Sequence, residues 1–64
     1  MKNNIKVQRA ILNITQEELA KRIGVSRQTV NAWEAGKYVP STVLALQISK
    51  YFKMNVEEIF QLED

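Results

Sequence analysis

The sequence has no cysteine and no histidine, and only one proline and two glycines among its 64 residues. Without cysteine there is neither a disulfide framework nor a thiolate nucleophile. Without histidine the chain lacks the usual general base and the commonest metal ligand. No apolar run approaches the roughly 20 residues of a membrane span, and nothing at the N-terminus resembles a signal peptide. We therefore expect a cytoplasmic protein with no metal, cofactor, membrane contact or small-molecule ligand.

The composition fits one small folded domain, residues 1–64. Hydrophobic residues make up 45% of the chain, which is too many for a disordered segment. The net charge of +2 hides an asymmetry: residues 1–53 carry all nine Lys and Arg and three Glu, a net +6, whereas residues 54–64 carry −4. A basic body suits a polyanion such as DNA. An ordinary solvated surface is the alternative explanation of this charge.

The most informative stretch is residues 15–36, which predicts two short helices joined by a tight turn. Thr15 can cap the first helix, and Glu18 completes a capping box. Gly24 can end that helix in a left-handed conformation. Ser26 can cap a second helix, which Gly36 closes. Two short helices with a glycine in the turn are typical of a helix-turn-helix.

Hydrophobic residues at both helix starts support this assignment. Ile14 can pack on Leu19, and Val25 on Val30, as hydrophobic staples that fix how the chain enters each helix. Together with Trp33, Val30 forms the predicted buried face of the second helix. The opposite, polar face carries side chains that can read base edges in a major groove: Arg27, Gln28, Asn31 and Ala32.

Three further helices are predicted, and no segment has the pattern of a strand. Residues 4–12 predict a helix with Asn3 or Asn4 as its cap. Residues 42–52 predict another, which Ser41 caps after Pro40. Asn55 can cap a short fifth helix. The expected fold is all-α, a compact bundle of five helices.

The chain has more apolar residues than so small a core can bury. Helix one carries a stripe with Ile5 and Leu12 and a second stripe with Val7 and Ile11. We expect one stripe to pack inside and part of the other to meet a partner subunit, although singly exposed apolar residues are common. The C-terminal apolar residues should either cover the core or form a dimer contact: Ile59, Phe60 and Leu62.

Nothing in the sequence predicts an enzyme. Glu17 and Glu18 are adjacent on a helix and so point about 100° apart rather than into one site. Glu57 and Glu58 have the same arrangement. No nucleophile–base pair, metal-ligand cluster or phosphate-binding glycine loop is present.

The segment TQEELAKRIGVSRQTVNAWEAGKYVPS, from Thr15 to Ser41, resembles the Cro and repressor type of helix-turn-helix, often called the XRE family. The resemblance extends over roughly residues 4–60. It implies a lambda-repressor-like five-helix domain, whose second and third helices form the DNA-binding unit. The implied function is sequence-specific regulation of transcription, with a recognition helix at residues 27–35 in the major groove.

The resemblance also implies roles for individual residues. Base reading falls to Arg27, Gln28 and Asn31, and Ala32 can meet only a thymine methyl or nothing. Arg9 and Glu34 resemble a family ion pair that ties helix one to the recognition helix. Five residues stand at positions that contact or approach phosphate: Gln16, Ser26, Thr29, Lys37 and Tyr38.

The family expectation for assembly is a homodimer on a palindromic operator. Its contact would come from Ile59, Phe60 and Leu62, joined by Val7 or Ile11. One departure from the family pattern concerns Gln8, where many members carry Leu, and it makes the packing of helix one harder to predict. The competing interpretation is a protein-interaction or antitoxin-like module that keeps the fold without reading DNA.

Overall fold

Five helices and one small sheet make up the computed structural model, which describes residues 1–63. The predicted all-α, five-helix fold is confirmed. In chain order the elements are β1 (Lys2–Asn3), α1 (Ile5–Leu12), α2 (Gln16–Ile23), α3 (Arg27–Glu34), α4 (Thr42–Phe52), α5 (Val56–Ile59) and β2 (Phe60–Gln61). Within residues 1–63 the longest helix, α4, has 11 residues, and no helix is long and apolar enough to cross a membrane.

The helix starts are held by the predicted caps. The Thr15 hydroxyl accepts a hydrogen bond from the Glu18 amide at 3.0 Å, and the Glu18 carboxylate accepts one from the Thr15 amide at 3.1 Å. Ser26 accepts from the Thr29 amide at 3.1 Å. Ser41 accepts from the amide three residues along the chain at 3.2 Å. These bonds satisfy amides that have no partner inside their own helix.

The first helix begins one residue later than predicted, and Asn3 rather than Asn4 caps it. The Asn3 side-chain oxygen accepts from the Ile5 amide at 3.2 Å. Asn4 occupies the position before the helix but makes no capping bond through its side chain. The cap therefore comes from two residues before the helix, inside β1.

Two strands at the chain ends correct the prediction that no segment is a strand. β1 pairs antiparallel with β2, with Lys2 opposite Gln61 and Asn3 opposite Phe60. The Asn4 amide extends the pairing by donating to the Ile59 carbonyl at 3.0 Å. Two residues are too few for an alternating pattern to be visible in the sequence, and the partners lie at opposite ends of the chain.

The core lies between the helices and receives side chains from every helix. Its members include Ile5, Leu19, Val30, Trp33, Ile48, Ile59 and Phe60, all at most 9% exposed. Partly buried residues, among them Ile14, Val25 and Met54, pack against this cluster. Ile14 and Val25 precede α2 and α3, where the hydrophobic staples were predicted, and Met54 precedes α5 in the same way.

Two of the predicted dimer contacts belong to this core, which corrects their assignment. Ile59 is fully buried and Phe60 is 9% exposed, because α5 and β2 carry the chain end back over the bundle to pair with β1. Their side chains are therefore covered almost entirely by their own chain and cannot supply the main contact with a partner. Leu62, Val7 and Ile11 are exposed, at 85%, 55% and 69%.

Candidate nucleic-acid interface

The third helix divides cleanly into a buried and an exposed face. Val30 and Trp33 are 0% and 2% exposed and fasten α3 to the core. On its other face Arg27, Gln28 and Asn31 are exposed. Ala32 is partly buried. The four residues predicted to read bases therefore include three polar side chains that are free to contact a ligand outside the domain.

The start of α3 is organised by two hydroxyl groups. Ser26 accepts the Thr29 amide, and the two hydroxyl oxygens also lie 2.9 Å apart in a hydrogen bond. Ser26 is exposed and Thr29 partly buried. The bond fixes the first turn of α3, the turn that carries Arg27 and Gln28.

The start of α2 lies beside the start of α3, so that side chains of both helices share a cleft. The cleft has a volume of about 380 Å³. Gln16 and Arg27 line it from the two helices, with Arg9 and Asn13 from the end of α1. The sequence predicts separate roles for Gln16 and Arg27, and the fold brings their side chains to one cleft.

A partly buried ion pair joins α1 to α3, as the resemblance predicts. The Arg9 Nε donates to a Glu34 carboxylate oxygen at 2.7 Å, and a terminal nitrogen of its guanidinium donates to the other oxygen at 3.1 Å. The side chains of Arg9 and Glu34 are 15% and 6% exposed. Arg9 also donates to the Ile14 carbonyl at 2.9 Å, which extends the contact to the loop before α2.

The Gln16 side chain completes this network, a contact that the sequence did not indicate. Its amide nitrogen donates to Glu34 Oε1 at 2.9 Å, the oxygen that also accepts from the terminal guanidinium nitrogen of Arg9. Glu34, near the end of α3, thus holds residues from both α1 and α2. Gln16 therefore helps to hold α3 in place, in addition to its predicted contact with phosphate.

The ionisation of the pair reflects these bonds. Burial by itself raises the pKa of Glu34, but the hydrogen bonds from Arg9 and Gln16 and the charges of Arg9 and Lys6 outweigh it, so the pKa is lowered below its ordinary value. The hydrogen bond to Glu34 raises the pKa of Arg9. Both groups are therefore charged at neutral pH, and each stabilises the charge of the other.

A second anchor near the end of α3, also missed from the sequence, is Asn3. Its amide nitrogen donates to the Trp33 carbonyl at 2.9 Å, while its oxygen caps α1. One side chain therefore ties the carboxyl end of α3 to the start of α1 and to the β1–β2 sheet. No local signal could have predicted this contact, because the two residues are 30 positions apart.

The loop after α3 presents the remaining predicted phosphate contacts. Gly36 adopts φ +76°, a left-handed conformation that turns the chain out of the helix. Lys37 then donates its amide to the Ala32 carbonyl at 2.9 Å. The side chains of Lys37 and Tyr38 are exposed, the latter at 70%. Within residues 1–63 neither Lys37 nor Arg27 forms an ion pair with a carboxylate.

Comparisons with known proteins agree with this geometry. A family model described as Helix-turn-helix matches residues 5–59. A helix-turn-helix-type transcriptional regulator of Methanocaldococcus jannaschii is 56% identical over 64 residues, covering 100% of this chain and 97% of that protein. One from Bacillus subtilis is 52% identical, with the same coverage of both chains.

A solved structure is similar along nearly the whole chain. It is the solution structure of the SOS-response transcriptional repressor LexA from Eubacterium rectale, with a TM-score of 0.81 and 33% sequence identity. The match covers 95% of this chain and 68% of that one.

Proposed function

Because the chain belongs to the Cro/repressor-type helix-turn-helix family, we propose that it binds palindromic operators as a homodimer with α3 in the major groove. The family makes it a DNA-binding transcriptional regulator and not an enzyme. Its relatives come from archaea and bacteria. We place its action in the cytoplasm, where such cells keep their DNA.

The observation that carries the proposal is the free polar face of α3. Arg27 has the fork of donors that matches guanine, and the amides of Gln28 and Asn31 match adenine. The partly buried Ala32 can offer only its methyl group, which suits a thymine methyl. Because all three polar residues are exposed while Val30 and Trp33 hold the helix in place, base readout needs no rearrangement of the domain.

Phosphate contacts would position α3 at both of its ends. Gln16 uses one amide hydrogen for Glu34, so its second hydrogen is available for a phosphate oxygen. Ser26 and Thr29 lie at the start of α3, where helix amides favour anions. Lys37 and Tyr38 supply a charge and a hydroxyl on the loop beyond the other end of α3. Such contacts fix the orientation of the protein but carry no sequence information.

The proposal is tested first by selecting bound sequences from a random pool of DNA. A two-fold symmetric consensus, with half-sites about one helical turn or 34 Å apart, is the expected result. Enrichment of a single unrepeated half-site would contradict the symmetric homodimer, while leaving base readout by α3 intact.

The second test compares three substitutions by titration of the selected site and of random DNA at one fixed salt concentration. Arg27→Ala should lower affinity for the selected site at least tenfold, because a good bidentate contact discriminates bases by about 1–3 kcal/mol. Lys37→Ala should weaken both DNAs alike, as expected for a phosphate contact.

Arg22→Ala is the matched control, because Arg22 is also an exposed arginine, lies near the end of α2 and is not among the residues of the proposed interface. It should bind like the wild type. Thermal unfolding of each variant would establish that the fold is intact. If Arg27→Ala discriminates the selected site as well as the wild type does, Arg27 is not a base-reading residue.

A further inference from the structure

The fourth helix is apolar on two sides, although only one of them faces the core. Ile48 is fully buried and Phe52 is 9% exposed, so they anchor the inner side. On the outer side Val43 and Leu46 are 64% and 56% exposed. Within residues 1–63 no other element covers this outer side, and a contiguous exposed apolar surface commonly marks a contact with a partner.

The exposed residues of α4 continue into a larger apolar surface. A groove of about 260 Å³ lies beside Leu46 and is lined by Val39, Met1 and Phe60. Leu62 follows Gln61, which pairs with Lys2, so it lies beside Met1 and extends this surface past the end of β2. We call the exposed members together the α4 patch: Met1, Val39, Val43, Leu46 and Leu62, each 39–85% exposed.

The scarcity of charged side chains in the α4 patch favours a second copy of this chain as its partner. Residues 38–49 contain no charged side chain, a run of twelve in a chain that is 25% charged. In a two-fold interface the same surface meets itself, so a charge near its centre would face a like charge. The charges at the edge of the patch are of both signs: the Met1 ammonium, which lies 3.7 Å from Glu63, and Lys50, one turn beyond Leu46. A surface whose apolar centre is uncharged is therefore suited to contact with a second copy of itself.

The other exposed apolar surface is less suitable for such contact. Val7 and Ile11 lie on the outer stripe of α1, at 55% and 69% exposure. Lys6 lies exposed next to Val7, beside this stripe. Pairing this stripe with itself would bring lysines from the two copies near one another, which opposes association.

The position of the patch also fits two copies on one operator. The domain measures 31 × 23 × 21 Å, so recognition helices about 34 Å apart require domains that stand side by side. The patch begins at Val39, directly after Lys37 and Tyr38, and so follows the end of the proposed DNA-contacting surface. A contact beside α3, rather than across the domain from it, leaves both recognition helices facing the same duplex.

We infer that the α4 patch is the surface through which two copies of this chain associate, with Val43 and Leu46 at its centre. The inference rests on the proposed homodimer and assigns it a surface. It replaces the earlier expectation for Ile59 and Phe60, which lie in the core, and retains Leu62 from that expectation.

The test measures dimer dissociation by sedimentation equilibrium for the full chain and for matched variants. Leu46→Glu and Val43→Glu should raise the dimer Kd at least a hundredfold. Ile11→Glu, which places the same charge on an equally exposed residue of α1, should leave it within threefold. Leu46→Gln, a milder change on the same helix, should raise it at least tenfold, and circular dichroism melting would identify any variant that does not fold.

The outcomes separate this inference from the proposed homodimer. If the wild type is a monomer at high concentration, both free and on operator DNA, the homodimer itself is wrong. If the wild type dimerises and Ile11→Glu dissociates it while the α4 variants do not, the homodimer stands and the α4 patch is overturned. Equal dimerisation by all folded variants would also overturn the patch.

Discussion

Glu34 ties the recognition helix to two other helices. It accepts hydrogen bonds from Arg9 of α1 and from Gln16 of α2, with its side chain 6% exposed. Removing one partner of a fully buried ion pair costs about 3–5 kcal/mol. This pair is partly buried and Gln16 still donates to Glu34, so the cost should lie at or below the lower end of that range. A 64-residue domain has a total stability of only about 3–10 kcal/mol. Arg9→Ala should therefore remove a large fraction of the unfolding free energy at neutral pH, as denaturant unfolding would show.

The lowered pKa of Glu34 makes this contribution dependent on pH. A carboxyl group whose pKa is lower in the folded state stabilises the fold above its ordinary value of 4.5. That stabilisation is lost as the pH falls through the lowered pKa. Unfolding free energies measured from pH 7 down to pH 2 should therefore decline in acid. Glu34→Gln should be less stable than the wild type at pH 7 and should lose less on acidification.

Glu57→Gln provides the control for this pH dependence, because Glu57 is exposed and forms no ion pair within residues 1–63. It should follow the wild-type curve closely. Parallel acid curves for the wild type and Glu34→Gln would exclude Glu34 as a source of the acid sensitivity.

Among whole elements, the helices could be predicted and the sheet could not. Caps, staples and glycines are local signals, so Thr15, Ser26, Ser41 and Gly24 mark helix ends in the sequence as they do in the structure. β1 and β2 depend instead on pairing between opposite chain ends. The same distinction applies to the interface. The polar residues on the exposed face of α3 could be predicted from the sequence. The contacts of Asn3 and Gln16 that hold α3 could not, because they join residues far apart in the chain.

Two helices end in a left-handed conformation at residues other than glycine. Asn13 after α1 and Lys53 after α4 both have φ +57°. Asparagine tolerates this conformation because its short side chain bonds locally, whereas for most residues it costs about 1–2 kcal/mol. The end of α4 is therefore a place where the present residue strains the backbone.

Lys53→Gly should stabilise the domain by about 0.5–1 kcal/mol, since relief of strain exceeds the entropy that an added glycine loses on folding. Asn13→Gly, the matched change at the end of α1, should give a smaller gain or none. Chemical denaturation of the three proteins would measure both effects. A lower stability for Lys53→Gly than for the wild type would contradict the strain assigned to this position.

At the scale of the whole molecule, charge and apolar surface are segregated along the chain. Residues 1–53 carry a net +6 and residues 54–64 a net −4. Between the DNA-contacting loop and Lys50 lies the uncharged run of residues 38–49. The proposed arrangement uses these regions separately, with basic residues on DNA and the uncharged run between the two copies. The Glu57 and Glu58 carboxylates, in the first turn of α5, would then contact neither the DNA nor the second copy.

This separation predicts how DNA affinity depends on salt. Each phosphate neutralised by a cation contributes about −0.9 to the slope of log K against log salt concentration. Removing Lys37 from both copies of a dimer, as Lys37→Gln, should therefore make the slope shallower by about 2. Glu57→Gln removes a charge from the acidic end and should leave the slope unchanged. A change of about 1 for Lys37→Gln would instead indicate one protein copy per site, and no change would remove Lys37 from the phosphate contacts.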